Sequence, residues 1–165
     1  MEKLVCNRIN YFIECSFSVS HTQGGFRRRL STLDQVARLE NTIRCTLLNK
    51  QVCVAVFFDL SSAFNTVWHT ALLYKLSTCG IRGRLLRCIA AYLEHRKFRV
   101  YFEGAYSTDR EITSSVPQGA ILSPILFNVM MRDTPKVANV TYSEYADDIT
   151  ICCVNSDIIA AADNI

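Results

Sequence analysis

Hydrophobic and polar residues along this chain follow helical spacing in some segments and strand-like spacing in others. Helical spacing from Glu2 to Glu14 predicts a first helix. Ser31 or Thr32 can cap a second, longer helix. The apolar stripe predicted for this helix consists of Val36, Leu39, Ile43 and Leu47. The uninterrupted run VCVAVFF, from Val52 to Phe58, has the length and composition of a buried strand.

The second half of the chain adds three predicted helices and two hairpins. The helices are expected over residues 62–76, over residues 82–97 and from about Ser123, where Pro124 suits a first helical turn. One hairpin is expected around Glu103-Gly104, and another where VTYSEYA and ITICCV flank a DD turn. This order of elements predicts an α+β fold, in which an antiparallel sheet is backed by helices.

Composition favours one folded domain and excludes a membrane-spanning protein. The chain has 165 residues, of which 50% are hydrophobic and 20% are charged. Its longest apolar run is too short to cross a bilayer, and the charged N-terminus lacks the apolar segment of a secretion signal. We therefore expect an intracellular protein, in the cytoplasm or the nucleus.

The eight cysteines show no CxxC or Cys/His spacing, so we expect reduced, mostly core cysteines, with zinc binding as the alternative.

Charge is distributed unevenly along the sequence. Residues 1–99 contain fifteen Lys and Arg against six Asp and Glu, whereas residues 100–165 contain three against nine. The basic part could contact a polyanion and the acidic part could hold cations, although for the charge counts alone an ordinary solvated surface is the better explanation.

Three aspartates suggest a specific chemistry. Asp59 closes the VCVAVFF strand, and Asp147 and Asp148 lie at the predicted turn of the last hairpin. If those strands are neighbours, the carboxylates converge and require a counter-charge, for which Mg²⁺ with its preference for oxygen ligands is suited. Two such ions about 3.5–4 Å apart support nucleotidyl transfer. The alternative for each single aspartate is an ordinary capping or turn residue.

The ordered segments AVFFDLSSAFNTVWH, SVPQGAILSPILFNVMMRD and YADD resemble the central motifs of reverse transcriptases, above all those of non-LTR (LINE-like) retrotransposons. The segment QGGFRRRLSTLDQ is similar to a GFR–ST element of the same group. The resemblance extends from about residue 2 to 154. It implies a right-hand polymerase palm with part of the fingers, divided into partial fingers at 1–50 and a palm at 51–165 that form a single structural unit.

The resemblance also implies a role for each matching residue. The implied metal ligands, for two Mg²⁺ ions or alternatively Mn²⁺, are Asp59, the backbone carbonyl of Leu60, Asp147 and Asp148. The implied nucleotide-binding residues are Phe64, Gln118 and Gly119. The implied primer- and template-binding residues are Tyr145, Ala146, Arg27, Arg28 and Arg29. The Phe64 ring would exclude a 2′-hydroxyl, and a core position is its alternative. A plain turn is the alternative for Pro117–Gly119, and a solvated loop for the three arginines.

These roles predict an RNA-directed DNA polymerase that uses an RNA template, a DNA primer and dNTPs. The resemblance further predicts a chain truncated at both ends, without the upstream fingers motifs and the thumb. Two alternatives remain at this point: an inactive nucleic-acid-binding remnant of such an enzyme, and an RNA-dependent RNA polymerase, which shares the carboxylate geometry.

Overall fold

A computed structural model of the chain describes residues 2–15 and 20–165, and these residues form an α+β protein. The α-helices are α1 (Glu2–Cys15), α2 (Thr32–Leu48), α3 (His69–Thr78), α4 (Gly83–Leu93), α5 (Ser123–Met130) and α6 (Ile158–Asp163). The strands are β1 (Val52–Phe58), β2 (Lys97–Phe98), β3 (Tyr101–Phe102), β4 (Ala105–Tyr106), β5 (Arg110–Glu111), β6 (Val140–Tyr145) and β7 (Asp148–Asn155). A short 3-10 helix spans Met131–Asp133. The predicted fold class is therefore confirmed.

The chain divides into two compact units. A helical unit is formed by Met1–Ser18 and Ser62–Met130, and a sheet unit by Val19–Ser61 and Met131–Ile165. Each unit thus joins two segments that are distant in sequence.

The sheet unit is built on three antiparallel strands in the order β1–β7–β6. Helices α2 and α6 pack on these strands. Strand β1 has the predicted bounds, Val52 to Phe58, because its apolar and largely β-branched or aromatic residues favour an extended backbone. The buried apolar residues of the unit are Tyr142, Ala146, Ile149, Cys152, Cys153 and Ala161.

Helix α2 packs through a different face from the one its apolar stripe predicts. Its buried residues are Gln35 and Thr46, whereas Val36 and Leu47 are 60% and 68% exposed. The buried face is offset by one residue from the predicted stripe, which rotates the helix by about 100°. Gln35 explains the offset, because its side-chain oxygen accepts a hydrogen bond of 2.7 Å from the Ser143 hydroxyl on β6.

The helical unit has its core around α5, whose residues from Ile125 to Val129 are all buried. Leu72, Leu76, Ile89 and Leu93 of α3 and α4 are also buried. Helix α1 lies where the sequence predicts it and buries Cys6, Ile9 and Ile13, while Leu4 is 75% exposed.

The helix predicted over residues 62–76 is wrong in its first half. Residues 61–66 form turns, with Ser62 at φ 55°, and α3 begins only at His69. The backbone carbonyls of Phe64 and Val67 accept hydrogen bonds from the amides of Val116 and Ser115, at 2.9 Å each. These long-range bonds occupy two carbonyls that a continuous helix would use for its own hydrogen bonds, so the turn at residues 61–66 does not continue into α3.

Smaller corrections concern the remaining elements. Helix α4 ends at Leu93 rather than near residue 97, since Lys97–Phe98 form strand β2 and pair with β5. The hairpin at Glu103-Gly104 is confirmed, with φ of 45° and 84° at its two turn residues. Helix α6 was not predicted.

The expectation of mostly core cysteines holds for only half of them, the buried ones being Cys6, Cys79, Cys152 and Cys153. None of the described helices combines the length and apolar character needed to span a membrane.

Candidate active site

The pairing register of the sheet places the candidate aspartates at one end of the strands. Phe58, the last residue of β1, is paired with Ile149 of β7. Asp59 directly follows Phe58 and Asp148 directly precedes Ile149, so both aspartates adjoin the last pair of this ladder, at the same end of the sheet. The site hypothesis requires β1 and the last hairpin to be neighbours, and they are.

The hairpin between β6 and β7 has a two-residue turn. Tyr145 and Asp148 form its last pair, so Ala146 and Asp147 are the turn residues. Ala146 has φ 56° and Asp147 does not have a positive φ, a combination that belongs to the II′ class of hairpin turns. The sequence predicted both aspartates at the turn; only Asp147 lies there, and Asp148 is already the first residue of β7.

The three carboxylates differ in exposure. Asp59 and Asp148 are exposed, and Asp147 is half-buried. Leu60, whose carbonyl is the fourth expected ligand, follows Asp59 and is half-buried. Within residues 2–15 and 20–165, no three His, Cys, Asp or Glu side chains are arranged so that they could hold a metal ion by themselves.

A glycine-containing loop contacts the turn directly. We call residues 20–26 the QGG loop; its Gln23 is 2% exposed, and Gln23 makes an isolated parallel bridge with Glu144 of β6. The Gln23 side chain hydrogen-bonds both the amide and the carbonyl of Ala146. A Cβ atom on Gly25 would lie 2.3 Å from the Ala146 nitrogen, so only glycine fits there. Sequence reasoning assigned no role to Gln23, and its only signal was an amide beside two glycines.

The arginines that follow this loop are in different environments. Arg27 is half-buried, and its Nη1 donates to the backbone oxygens of Ser20 and Gln23, at 3.3 and 3.4 Å. Arg28 and Arg29 are exposed. The guanidinium groups of Arg28 and Arg29 are therefore exposed to solvent, whereas that of Arg27 holds the loop through its hydrogen bonds.

Strand β6 carries a buried carboxylate that sequence reasoning also missed. The Glu144 side chain is 4% exposed, accepts a 2.8 Å hydrogen bond from the Thr22 hydroxyl and forms an ion pair with Lys136. The Lys136 ammonium also lies 4.2 Å from the centroid of the Tyr142 ring. This cluster joins the QGG loop to β6 two residues before the turn.

The expected nucleotide-binding residues belong to the helical unit. The half-buried Phe64 ring stacks on Phe127, with a centroid distance of 4.6 Å and an interplanar angle of 14°. Gln118 and Gly119 are exposed. Gly119 has φ +84°, and no atom lies within 4 Å of the position a Cβ would take, so the backbone there is open to a close approach.

Comparison with known proteins gives a family for this arrangement. Residues 1–163 match the family described as "Reverse transcriptase (RNA-dependent DNA polymerase)". Similar proteins include the RNA-directed DNA polymerase from mobile element jockey of Drosophila melanogaster, 32% identical over 169 residues and covering 98% of this chain. The probable RNA-directed DNA polymerase from transposon BS of the same fly is 33% identical over 165 residues, covering 92% of this chain. The probable RNA-directed DNA polymerase from transposon X-element of Drosophila melanogaster is 30% identical over 155 residues, covering 91% of this chain.

The matched region is a small part of each relative. The chain spans 18% of the jockey protein, 18% of the transposon BS protein and 17% of the X-element protein. What those whole proteins do is therefore carried over to this chain only as a proposal.

Proposed function

The chain belongs to the reverse transcriptase family, and from this premise we propose that it supplies the catalytic carboxylates of a non-LTR retrotransposon RNA-directed DNA polymerase. In the proposed reaction the 3′-hydroxyl oxygen of a DNA primer attacks the α-phosphorus of a dNTP paired with an RNA template. A new P–O bond forms while the bond from the α-phosphorus to the bridging oxygen breaks, so that pyrophosphate leaves and the hydroxyl proton passes to water. We propose that the three-stranded sheet belongs to the palm, and the division into fingers at 1–50 and palm at 51–165 stays a prediction.

The observation that supports this function most is the register of the sheet. Asp59 directly follows β1, Asp148 begins β7 and Asp147 occupies the adjoining turn, so residues far apart in sequence bring carboxylates to one end of the strands. An end of a sheet that displays exposed carboxylates can receive a polyanionic substrate only together with cations.

The donors at this end suit magnesium. Mg²⁺ usually retains waters and is bound through one or two carboxylates together with substrate phosphates, rather than by a complete protein cage. Asp59 and Asp147 would supply these carboxylates, while Asp148 and the Leu60 carbonyl are the further proposed ligands. When bound, Mg²⁺ or Mn²⁺ would supply positive charge to the attacking and leaving oxygens. The protein's part is to fix the ligand oxygens before the substrate arrives.

The remaining roles follow the family resemblance. We propose that Phe64 excludes a ribose 2′-hydroxyl and that Gln118 and Gly119 contact the nucleotide. Tyr145 is proposed to support the primer end. Ala146 would do so only through the shape of the turn, because both of its backbone polar groups are bonded to Gln23.

The arginines Arg27, Arg28 and Arg29 are proposed to contact template or primer phosphates. Such contacts carry no sequence information and make binding salt-sensitive. The exposed guanidinium groups of Arg28 and Arg29 are better placed for this role than that of Arg27, which donates to loop carbonyls.

Primer extension on an RNA template tests the metal ligands. We expect Asp59→Ala and Asp147→Ala each to lower the rate of dNTP incorporation by at least about 10²–10³-fold, since each removes an oriented charge from the transition state. Asp109→Ala is the matched control, because it removes an exposed carboxylate of the helical unit. Extension by Asp147→Ala at the control rate would contradict the assignment. Absence of extension in wild type, with salt-dependent RNA binding retained, would favour a binding-only protein.

Sugar selection tests the proposed role of Phe64. Phe64→Ala is expected to increase incorporation of rNTPs relative to dNTPs, because a methyl group leaves room for the 2′-hydroxyl. Phe127→Leu is the control, since it removes the stacking partner but leaves the Phe64 ring in place. An unchanged dNTP preference in Phe64→Ala would refute the role, and an rNTP preference in wild type would favour an RNA polymerase.

A further inference from the structure

The QGG loop adds an irregular extension to the outer edge of β6, beside the proposed catalytic turn. The Gly24 amide donates to the Glu144 carbonyl at 2.8 Å, and the Glu144 amide donates to the Thr22 carbonyl at 3.1 Å. These two bonds hold residues 22–24 alongside β6 and direct the Gln23 side chain toward the end of the hairpin. The side chain is 2% exposed, so its amide group must find partners within the protein.

Three hydrogen bonds satisfy this amide group. The Gln23 side-chain oxygen accepts from the Gly25 amide and from the Ala146 amide, both at 2.8 Å. Its Nε2 donates to the Ala146 carbonyl at 3.0 Å. Because two N–H groups point at one end of the side chain, that end must be the oxygen, which fixes the orientation of the amide chemically.

Ala146 is a turn residue that needs such support. It is an alanine with φ 56°, a left-handed conformation that residues with a Cβ adopt at a cost and keep only where their surroundings enforce it. In a two-residue hairpin the amide of the first turn residue points away from the opposite strand, and here Gln23 accepts from it. Gly25 lies against the same residue, so the loop encloses the turn on this side.

The residue that follows Ala146 is Asp147. The dihedral angles of Ala146 set the direction in which the Asp147 backbone leaves the turn, and so the direction from which its side chain extends. We propose that Gln23 is a positioning residue, which holds Ala146 in the left-handed conformation and thereby orients the Asp147 carboxylate toward the metal ion. This role rests on the proposed function, since it assumes that Asp147 is a metal ligand.

Replacing Gln23 with methionine tests the proposal. Methionine keeps the length and packing of the side chain but removes all three hydrogen bonds. Gln35→Met is the matched control, because Gln35 is also a buried amide of the sheet unit, and its oxygen accepts from Ser143 on the strand rather than from the turn. The chain is used in full, and Mn²⁺ alone is the probe.

Mn²⁺ affinity, followed by electron paramagnetic resonance, is the first readout. Wild type should bind Mn²⁺ in a manner that Asp147→Asn abolishes. Gln23→Met should weaken the affinity by roughly 10–100-fold, the usual effect of removing a group that orients a metal ligand, and Gln35→Met by less than about twofold. Equal affinities in Gln23→Met and Gln35→Met would overturn the proposal.

Amide hydrogen exchange of Ala146 is the second readout, and it does not depend on metal or activity. The Ala146 amide should exchange slowly in wild type and in Gln35→Met, and quickly in Gln23→Met. Fast exchange in wild type would overturn the proposal even if Gln23→Met failed to fold. If Ala146 exchanges as expected but the wild type does not bind Mn²⁺ through Asp147, the proposed function and the positioning role are both rejected. If the wild type binds Mn²⁺ through Asp147 but Gln23→Met binds it as tightly as Gln35→Met does, only the positioning role is rejected. The two failures are therefore distinguishable.

Discussion

Lys136→Met should destabilise the sheet unit, and the structure allows the size of the effect to be worked out. Among the described residues, the substitution leaves the Glu144 carboxylate, 4% exposed, with the Thr22 hydroxyl as its remaining side-chain donor. Removing one member of a fully buried ion pair costs about 3–5 kcal/mol, and breaking a surface pair costs at most about 1 kcal/mol. Because the Lys136 side chain is 35% exposed, we expect an intermediate loss of about 2–3 kcal/mol.

Equilibrium unfolding in urea, followed by circular dichroism, measures this loss. Arg44→Met is the matched control: it breaks an exposed i,i+4 pair with Glu40 on α2 and should cost about 0.5 kcal/mol or less. Adding Glu144→Gln to Lys136→Met should recover about 1–2 kcal/mol, because a neutral amide no longer needs the cation. A loss in Lys136→Met no larger than in Arg44→Met would refute the reasoning.

Two further predictions concern the turn and the interior of the sheet. Gly25→Ala should lower the free energy of unfolding in urea by more than about 2 kcal/mol, because its Cβ would meet backbone atoms of Ala146 at 2.3 and 2.9 Å. Gly119→Ala is the control and should cost about 1 kcal/mol, because the space around Gly119 is open and only its positive φ disfavours alanine. An equal loss in the two variants would contradict the clash. Burial raises the pKa of the Cys152 thiol from 9.0 to about 11, so the folded state holds a proton that the unfolded state releases, and stability should fall as pH rises from 9 to 11. Iodoacetamide should accordingly alkylate Cys152 more slowly than the exposed Cys45 at pH 8.5, and equal rates would count against the shift.

Sequence patterns predicted the elements whose local and tertiary preferences agree. Strand β1 was recognised from its uninterrupted apolar run, but the prediction that it is buried is wrong, since its first five residues are half-buried and Phe57 and Phe58 are exposed. The predicted adjacency of β1 and the last hairpin followed from the aspartates and the motif order, and the pairing of Phe58 with Ile149 agrees with it. The site residues themselves stay predictions, because only ligand binding or catalysis can test them.

Where tertiary contacts overrule local preference, the sequence was a poor guide. The burial of Gln35 cannot be inferred from hydrophobic spacing, because the hydrogen bond that its side chain accepts from Ser143 makes this burial favourable. Ser62 at φ 55° and the bonds from Val116 to Phe64 likewise override a segment that has helical composition. Gln23 was missed for the same reason, since Ala146, with which it makes two of its three hydrogen bonds, lies 123 residues away in the sequence.

The position of β1 in the sheet has a consequence for solution work on this chain. One side of β1 pairs with β7, and its other side has no strand beside it in the described part of the molecule. The strand contains no proline or lysine to blunt this edge, and Phe57 and Phe58 are 69% and 45% exposed. Such an edge recruits extended peptides through main-chain pairing, so concentrated samples should self-associate by strand addition, and a charged residue introduced at Phe57 should keep them dispersed.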